Sequence, residues 1–368
     1  MNAHIPRKVG ADVQRRINAL GVGEKMQDLP EELWHPSFRF YVKEDPNRKG
    51  GPNLRLIRLD PAKPSLTVTG YIFNKFVHPR EDRYITPREA ARLQGFPDSW
   101  IFQGTLTSVQ RQVGNAVPIP LARAVAQEML KHGRVNKLFV SKRPQVLSLF
   151  SGAGGLDLGF QQASTGRLGW DLRDAVEFDH DSCATLSRNR HKNLKVHQRD
   201  IRHFKVTELE TMPDAIIGGP PCQAFSQAGQ QRGTADDRGQ MVYEYIRCID
   251  EARPKCFLLE NVSNLKSIDG GQLLARIVSQ LRGLGYMVSY SVLNAAEYGA
   301  PQLRKRLLIV GFRTDLCDKP FVFPVPTHSL EPAFGTLPFA TVGDAFMELP
   351  KANPGEKKPE VAALARIY

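Results

Sequence analysis

Val146-Leu147-Ser148-Leu149-Phe150-Ser151-Gly152-Ala153-Gly154-Gly155-Leu156 is an apolar run that enters a glycine turn and then a helical pattern. An α/β sheet presents its backbone to a nucleotide in this way, at the carboxyl edge of the first strand. The spacing is not a dinucleotide fingerprint, because the third glycine of GxGxxG falls at Asp157. Downstream, the runs 146–150, 175–178, 194–197, 215–217, 256–259, 287–293 and 307–312 read as strands, and 155–163, 180–190, 240–251 and 271–283 as helices. The alternation predicts an α/β fold, a doubly wound and mostly parallel sheet covered on both faces. Glu177 closes the second strand 25 residues after Gly152, where a carboxylate can hold both hydroxyls of a ribose. Asp200 closes the third, where it can accept from an adenine amino group. Three such elements at successive strand ends favour an adenosine cofactor without a pyrophosphate.

At 368 residues the chain has room for two compact domains. Its 41% apolar and 24% charged residues are ordinary for a globular protein, and no run approaches the roughly eighteen apolar positions of a membrane span. The first eight residues carry no apolar stretch behind their basic ones, so no secretion signal is read there. Cysteines 183, 222, 248, 256 and 317 are odd in number and form no CxxC pair, which predicts reduced thiols, a cytoplasmic location and no zinc site. The net charge of +12 is concentrated at one end: residues 1–145 hold 24 Lys and Arg against 13 Asp and Glu, while 146–368 are nearly balanced. A basic segment beside a neutral core points to a polyanion-binding surface, against the alternative of a solvated basic face.

Residues 1–80 are rich in Pro and Gly, interleave basic residues with Trp34, Phe38, Phe40 and Tyr41, and read as loops with short strands. Thr86-Pro87-Arg88-Glu89 has the residues of a capping box, with a helix expected through Leu93. Leu121, Val125 and Met129 mark a helix over about 118–130. Residues 313–368 are again Pro-rich.

Three further constellations carry chemistry. Cys222 lies in Gly218-Gly219-Pro220-Pro221-Cys222-Gln223, a stiff loop directly after the fourth strand. An isolated cysteine is usually an inert buried thiol, but this loop at the ligand-bearing edge suits a nucleophile. Glu260 ends the apolar run 257–259, where burial can raise its pKa and let it donate a proton. Arg304 and Arg306 enter the strand 307–310 on one side of it, toward one anion or carbonyl.

In this order the motifs resemble those of the cytosine-5 DNA methyltransferases: the glycine turn at 150–155, Glu177-Phe178-Asp179, Asp200, PPCQ at 220–223, ENV at 260–262 and QxRxR at 302–306. Arg88–Asp98 and Gln112–Pro118 also match, although the family places them after QxRxR. The resemblance therefore implies a circularly permuted member with an S-adenosylmethionine-dependent, Rossmann-like catalytic core at 146–312. Residues 86–145 would hold the displaced motifs and a linker, and 1–85 with 313–368 a small loop-rich target-recognition domain. It further implies methyl transfer from S-adenosyl-L-methionine to carbon 5 of a flipped-out cytosine in a specific double-stranded DNA sequence. Cys222 would add to carbon 6, Glu260 act at ring nitrogen 3, and Arg304 with Arg306 steady the developing charge. Phe150, Gly152, Gly154, Gly155, Glu177, Phe178, Asp200, Ile201, Pro220, Asn115 and Ala116 would hold the cofactor. A monomeric, nucleoid-associated bacterial enzyme that modifies DNA beside a separately acting restriction endonuclease is the expected setting, with no metal and no membrane. The alternatives are a transfer-RNA cytosine-5 methyltransferase, which shares the catalytic residues, and a catalytically dead DNA-binding relative, which the intact Cys222, Glu260 and Arg304 disfavour.

Overall fold

Helix α1 (Ile119–Val135) precedes a sheet whose strands grow from the apolar runs of the sequence: β1 (Gln145–Leu149), β2 (Asp171–Glu177), β3 (Lys195–Gln198), β4 (Ala215–Gly218), β5 (Cys256–Val262), β6 (Tyr286–Asn294) and β7 (Lys305–Arg313). Between them run α2 (Gly155–Gln162), α3 (His180–Asn189), α4 (Gln240–Ala252) and α5 (Gln272–Gly283). In this computed structural model the described residues are 1–44, 56–70, 75–139, 141, 143–164, 167–189, 193–221 and 240–352. The strand order is β3-β2-β1-β4-β5-β7-β6. Only β7 runs against its neighbours β5 and β6; the remaining pairings are parallel. The order reverses between β1 and β4, and open α/β sheets bind ligands outside the carboxyl ends of their strands at such a switch point.

Burial follows from this layering. Nearly every residue of β1, β4 and β5 is buried, as strands covered on both faces require. One apolar layer joins Leu121, Val125 and Met129 of α1 to Phe160 of α2 and Trp170. The other joins Tyr245 and Ile249 of α4 to Ile277 and Leu281 of α5. The predicted strands are all present. Among the described residues four α-helices were not predicted: Ala11–Ala19, Pro36–Lys43, Leu106–Asn115 and Val342–Phe346. Ala11–Ala19 buries only Ile17, so its sequence shows no apolar stripe, and packing rather than propensity holds so short a helix.

The chain divides into two units, one of residues 116–300 with 304–338, the other of 1–115 with 301–303 and the described part of 339–368. The expected borders at 85/86 and 312/313 therefore fall at 115/116 and 338/339. Residues 313–338 stay with the sheet because Phe321 stacks on Phe312 at 5.9 Å and meets His132 of α1 edge to face at 5.8 Å. Residues 86–115 stay with the N-terminal segment because buried Arg88 donates to the carbonyls of Asn2, Pro97 and Trp100, and Gln94 to that of Val113.

Within the N-terminal unit, Trp34 and Phe38 pack edge to face at 5.1 Å over a core that includes Ile17, Leu20 and Leu56. Phe38 is buried in this core and Trp34 is partly buried against it. Arg58 is spent internally too, donating to Ile17 and Leu20 carbonyls at the end of helix Ala11–Ala19. The two ends of the described chain meet here: His4 Nε2 lies 2.8 Å from the Pro350 carbonyl oxygen, Arg92 donates to the carbonyls of Ala345 and Met347, and Phe346 stacks on His78 at 5.5 Å. Among the described residues no helix is long and apolar enough to cross a membrane.

Candidate active site

β1 ends at Leu149, and the chain turns by placing Phe150 at φ 55°, Gly152 at φ 55° and Gly154 at φ 84° before α2 begins. A bulky residue in the left-handed region is strained, and such strain persists only where the surroundings over-determine it, commonly at functional sites. Gly155 has a different reason: a Cβ there would sit 2.6 Å from the Val117 carbonyl oxygen and 3.1 Å from the Ala116 Cβ. The entry to α1 thus packs directly on the start of α2. Asn115, expected beside Ala116, ends the helix Leu106–Asn115 of the other unit.

Glu177, at the end of β2, is tied to this turn. Its Oε2 accepts from Gly152 N–H at 2.8 Å, and its Oε1 from the N–H groups of Phe178 and Asp179, each at 2.8 Å. A carboxylate offers about four lone-pair directions, and three are taken here among the described residues. Among the described residues a Cβ on Gly152 would meet nothing within 4 Å. The Phe178 ring is exposed at the same edge and Ile201 is buried. Asp200 caps the short turn Ile201–His203, and its carboxylate is held down at about 2, chiefly by the Arg202 guanidinium. A charged acceptor, an open glycine backbone and an exposed aromatic ring at adjoining strand ends suit an adenosine.

The second cluster forms where β4, β5 and β7 come together. Glu260 lies on β5 opposite Leu308 of β7, which sets Arg306 diagonally across from it. Arg306 Nε reaches Glu260 Oε1 at 2.8 Å with both side chains almost wholly buried. Burial raises the Glu260 pKa, against the pull of Arg306 and Arg304. Arg304 is more deeply buried, and burial together with the like charge of Arg306 depresses its guanidinium to about 9. A Cβ on Gly219 would lie 2.9 Å from Glu260 Oε2, and Asn261 Nδ2 donates to the buried Pro220 carbonyl at 3.2 Å. The carboxyl therefore abuts the root of the Pro220-Pro221-Cys222 loop. Cys222 itself lies outside the described residues. Cys183, Cys248, Cys256 and Cys317 are buried.

Three features of these clusters were not read from the sequence. Tyr245 of α4 donates to the carbonyl oxygens of Leu258 at 2.8 Å and Ile216 at 3.1 Å, so one hydroxyl spans β4 and β5 just before Gly219 and Glu260. In the sequence Tyr245 is one more member of an apolar stripe. Gln302, part of QxRxR, donates to the carbonyl of Leu93 and to Gln94 Oε1, so its work lies inside the N-terminal unit. Asp157 is buried beneath the glycine turn, bonded to Ser148.

A family model described as C-5 cytosine-specific DNA methylase matches residues 23–131 and 145–355. Among curated relatives, the type II methyltransferase M.AquIA of Picosynechococcus sp. is 40% identical over 235 residues, 57% of this chain and 90% of that protein. M.FnuDI of Fusobacterium nucleatum is 44% identical over 187 residues, 51% of this chain and 52% of its own length, so the chain spans about half of this second relative. A solved E. coli structure described as a prophage-encoded DNA modification methyltransferase shows 30% identity over 56% of this chain and 55% of its own, at a TM-score of 0.45. The matched residues take in the glycine turn, Glu177, the loop rooted at Gly219, and the Glu260–Arg306 pair. The chain belongs to the C-5 cytosine-specific DNA methylase family.

Proposed function

We propose that this chain methylates carbon 5 of a cytosine in a specific double-stranded DNA sequence, taking the methyl group from S-adenosyl-L-methionine. The observation that carries the reading is the buried Glu260 carboxyl, paired with Arg306 and set against the root of the Pro-Pro-Cys loop. Cys222 as thiolate adds to carbon 6 of a base flipped out of the duplex. Glu260, whose neutral form burial favours, donates to ring nitrogen 3 in that form, and Arg304 steadies the carbonyl oxygen as charge develops there. Arg306 keeps Glu260 oriented. Phe150, Glu177, Phe178, Asp200, Ile201 and Pro220 hold the cofactor, with Asn115 and Ala116 at its methionine end; when bound it supplies an electrophilic methyl group. Loss of the carbon 5 proton then lets Cys222 leave.

The type II methyltransferase names of the relatives support a modification role beside a restriction endonuclease, in the cytoplasm at the nucleoid, and the basic N-terminal segment supports DNA over a folded transfer RNA. Bisulfite sequencing of plasmid DNA from cells expressing the chain tests activity and target together; unconverted cytosines confined to one short sequence are expected, and full conversion everywhere overturns the reading.

Glu177→Ala is expected to weaken S-adenosylmethionine binding by roughly 1.5–3 kcal/mol, the range for hydrogen bonds to a charged group. Calorimetry checks this, and unchanged affinity removes Glu177 from the site.

The motif order is part of the same reading. We take residues 86–130 to be the family's closing motifs moved to the front, and 1–85 with 313–368 to be recognition segments. The packing of α1 on α2 and the contact of His4 with Pro350 support this. Joining Tyr368 to Met1 through a few flexible residues and reopening the chain between 140 and 144 is expected to give an active enzyme in the conventional order. Methyl transfer by the relinked protein checks it, and an insoluble or inactive product counts against the permutation.

A further inference from the structure

Beneath the glycine turn lies a carboxyl group to which the reaction gives no task. Asp157, on the first turn of α2, is 2% exposed. Its Oδ1 stands 2.5 Å from Ser148 Oγ of β1, and its Oδ2 has no hydrogen-bond partner among the described residues. Ser148 Oγ is in turn 2.9 Å from Ser151 Oγ, which also lies 3.2 Å from the Ser148 carbonyl oxygen. These groups form a chain from β1 through the turn to α2.

Proton accounting along this chain decides the state of Asp157. A carboxylate here would be a buried charge with no cation on it and one bare oxygen, a combination that protein interiors avoid. The neutral acid closes every bond. The Ser148 hydroxyl donates to Oδ1 of the ionised group; in the neutral acid the Asp157 proton takes that bond over, the Ser148 hydroxyl turns to Ser151 Oγ, and the Ser151 hydroxyl stays on the Ser148 carbonyl oxygen. Oδ2 is then the carbonyl oxygen of an acid, which tolerates the lack of a donor far better. Burial pushes Asp157 up to about 7, with the Ser148 bond opposing and the charge of Glu177 adding to the rise. The other titratable groups on the elements around α2 are Asp171, Arg173 and Asp174 of β2 and Arg123, Glu128 and the basic residues 131–134 of α1. Glu177 is the one whose charge reaches Asp157. It also holds Gly152 N–H, so a negative charge on Asp157 bears directly on the turn.

We propose that Asp157 is a positioning residue that works as a neutral acid: uncharged beneath turn 150–154, it leaves Glu177 to hold the turn in its left-handed shape, and its ionisation sets a second negative charge beside Glu177, slackens the turn and loosens the cofactor. The proposal rests on the reading of that turn as the cofactor site.

The test is calorimetric binding of S-adenosylhomocysteine to the full chain from pH 6 to 9, for the wild type, Asp157→Asn and Ser148→Ala. Wild-type affinity is expected to fall as pH rises through the Asp157 pKa, approaching tenfold per pH unit above it, the slope for one linked proton. Asp157→Asn keeps a neutral donor toward Ser148; its affinity should match the wild type at pH 6 within about twofold and stay flat. Ser148→Ala removes the bond that holds the pKa down and should move the midpoint to higher pH. Thermal melting without any cofactor gives an independent arm. A folded-state pKa raised above that of the unfolded chain stabilises at low pH and loses that stabilisation as pH rises through about 7, so the wild type should lose melting temperature relative to Asp157→Asn between pH 6 and 8. An Asp157→Asn protein that keeps the wild-type pH slope, or that binds at pH 6 as weakly as the wild type at pH 9, overturns the proposal. So does an unmoved midpoint in Ser148→Ala, which decides the matter if the asparagine variant fails to fold. No binding by the wild type at any pH sinks the cofactor reading instead, and the melting arm then still judges Asp157.

Discussion

Cys222→Ser is expected to abolish methyl transfer while leaving S-adenosylmethionine affinity within about twofold of wild type. A serine hydroxyl is scarcely ionised at neutral pH, whereas a thiol with a pKa near 8.5 in a polar loop supplies a usable fraction of thiolate. No other described thiol is placed to substitute. Burial pushes Cys183 and Cys248 up to about 12 and Cys256 further still, and Cys317 is buried with its Sγ 3.6 Å from His132 Nε2. Transfer of labelled methyl groups to DNA measures the first half of the expectation and calorimetry the second. Turnover by the serine variant near the wild-type rate would remove the covalent mechanism, and loss of cofactor binding would make Cys222 a structural residue.

Glu260→Gln is expected to lower kcat by about 10²–10⁴, the usual contribution of a positioned acid or base, with the fold retained. The amide can still accept from Arg306 Nε, so the guanidinium is not stranded. Glu260→Ala should behave differently: it leaves Arg306 and Arg304 as buried cations without their carboxylate, and breaking such a pair costs about 3–5 kcal/mol of stability. Since burial raises the Glu260 pKa, the neutral, donating form is lost as pH rises through that value. The wild-type rate should decline on that side, and Glu260→Gln should lack the decline. Single-turnover rates across pH with circular dichroism of each variant check the set. A glutamine variant at wild-type rate would reduce Glu260 to a counter-ion for the arginines.

The interpretation of the N-terminal charge also changes with the structure. Part of the basic excess is internal: Arg58 and Arg88 are buried with carbonyl partners, and Arg83 forms a two-pronged pair with Glu89. Composition counts these residues as available to phosphate, although they are already committed to the unit's own loops.

The sequence by itself determined the strands and the turn, because their causes are local. An apolar run long enough to be buried on both faces shows itself within five to seven residues, and the glycines after Phe150 announce the turn that only they can complete. Glu177 and Glu260 were legible as strand-end carboxylates for the same reason. The partners of those residues were decided by the tertiary structure. Arg306 meets Glu260 because β7 runs antiparallel to β5 in one particular register, and a shift of one residue would send it to the other face. Gln302 sits four residues from Arg306, yet it serves Gln94 and Leu93, over two hundred residues away in the chain. Helix Ala11–Ala19, with one buried residue, exists through contacts that no local pattern encodes. Asp157 is the clearest case: in the sequence it is an acidic residue in the first turn of a helix, where a negative charge is ordinarily favourable. Only the packing of β1 beneath it, which buries the carboxyl against Ser148, raises its pKa instead.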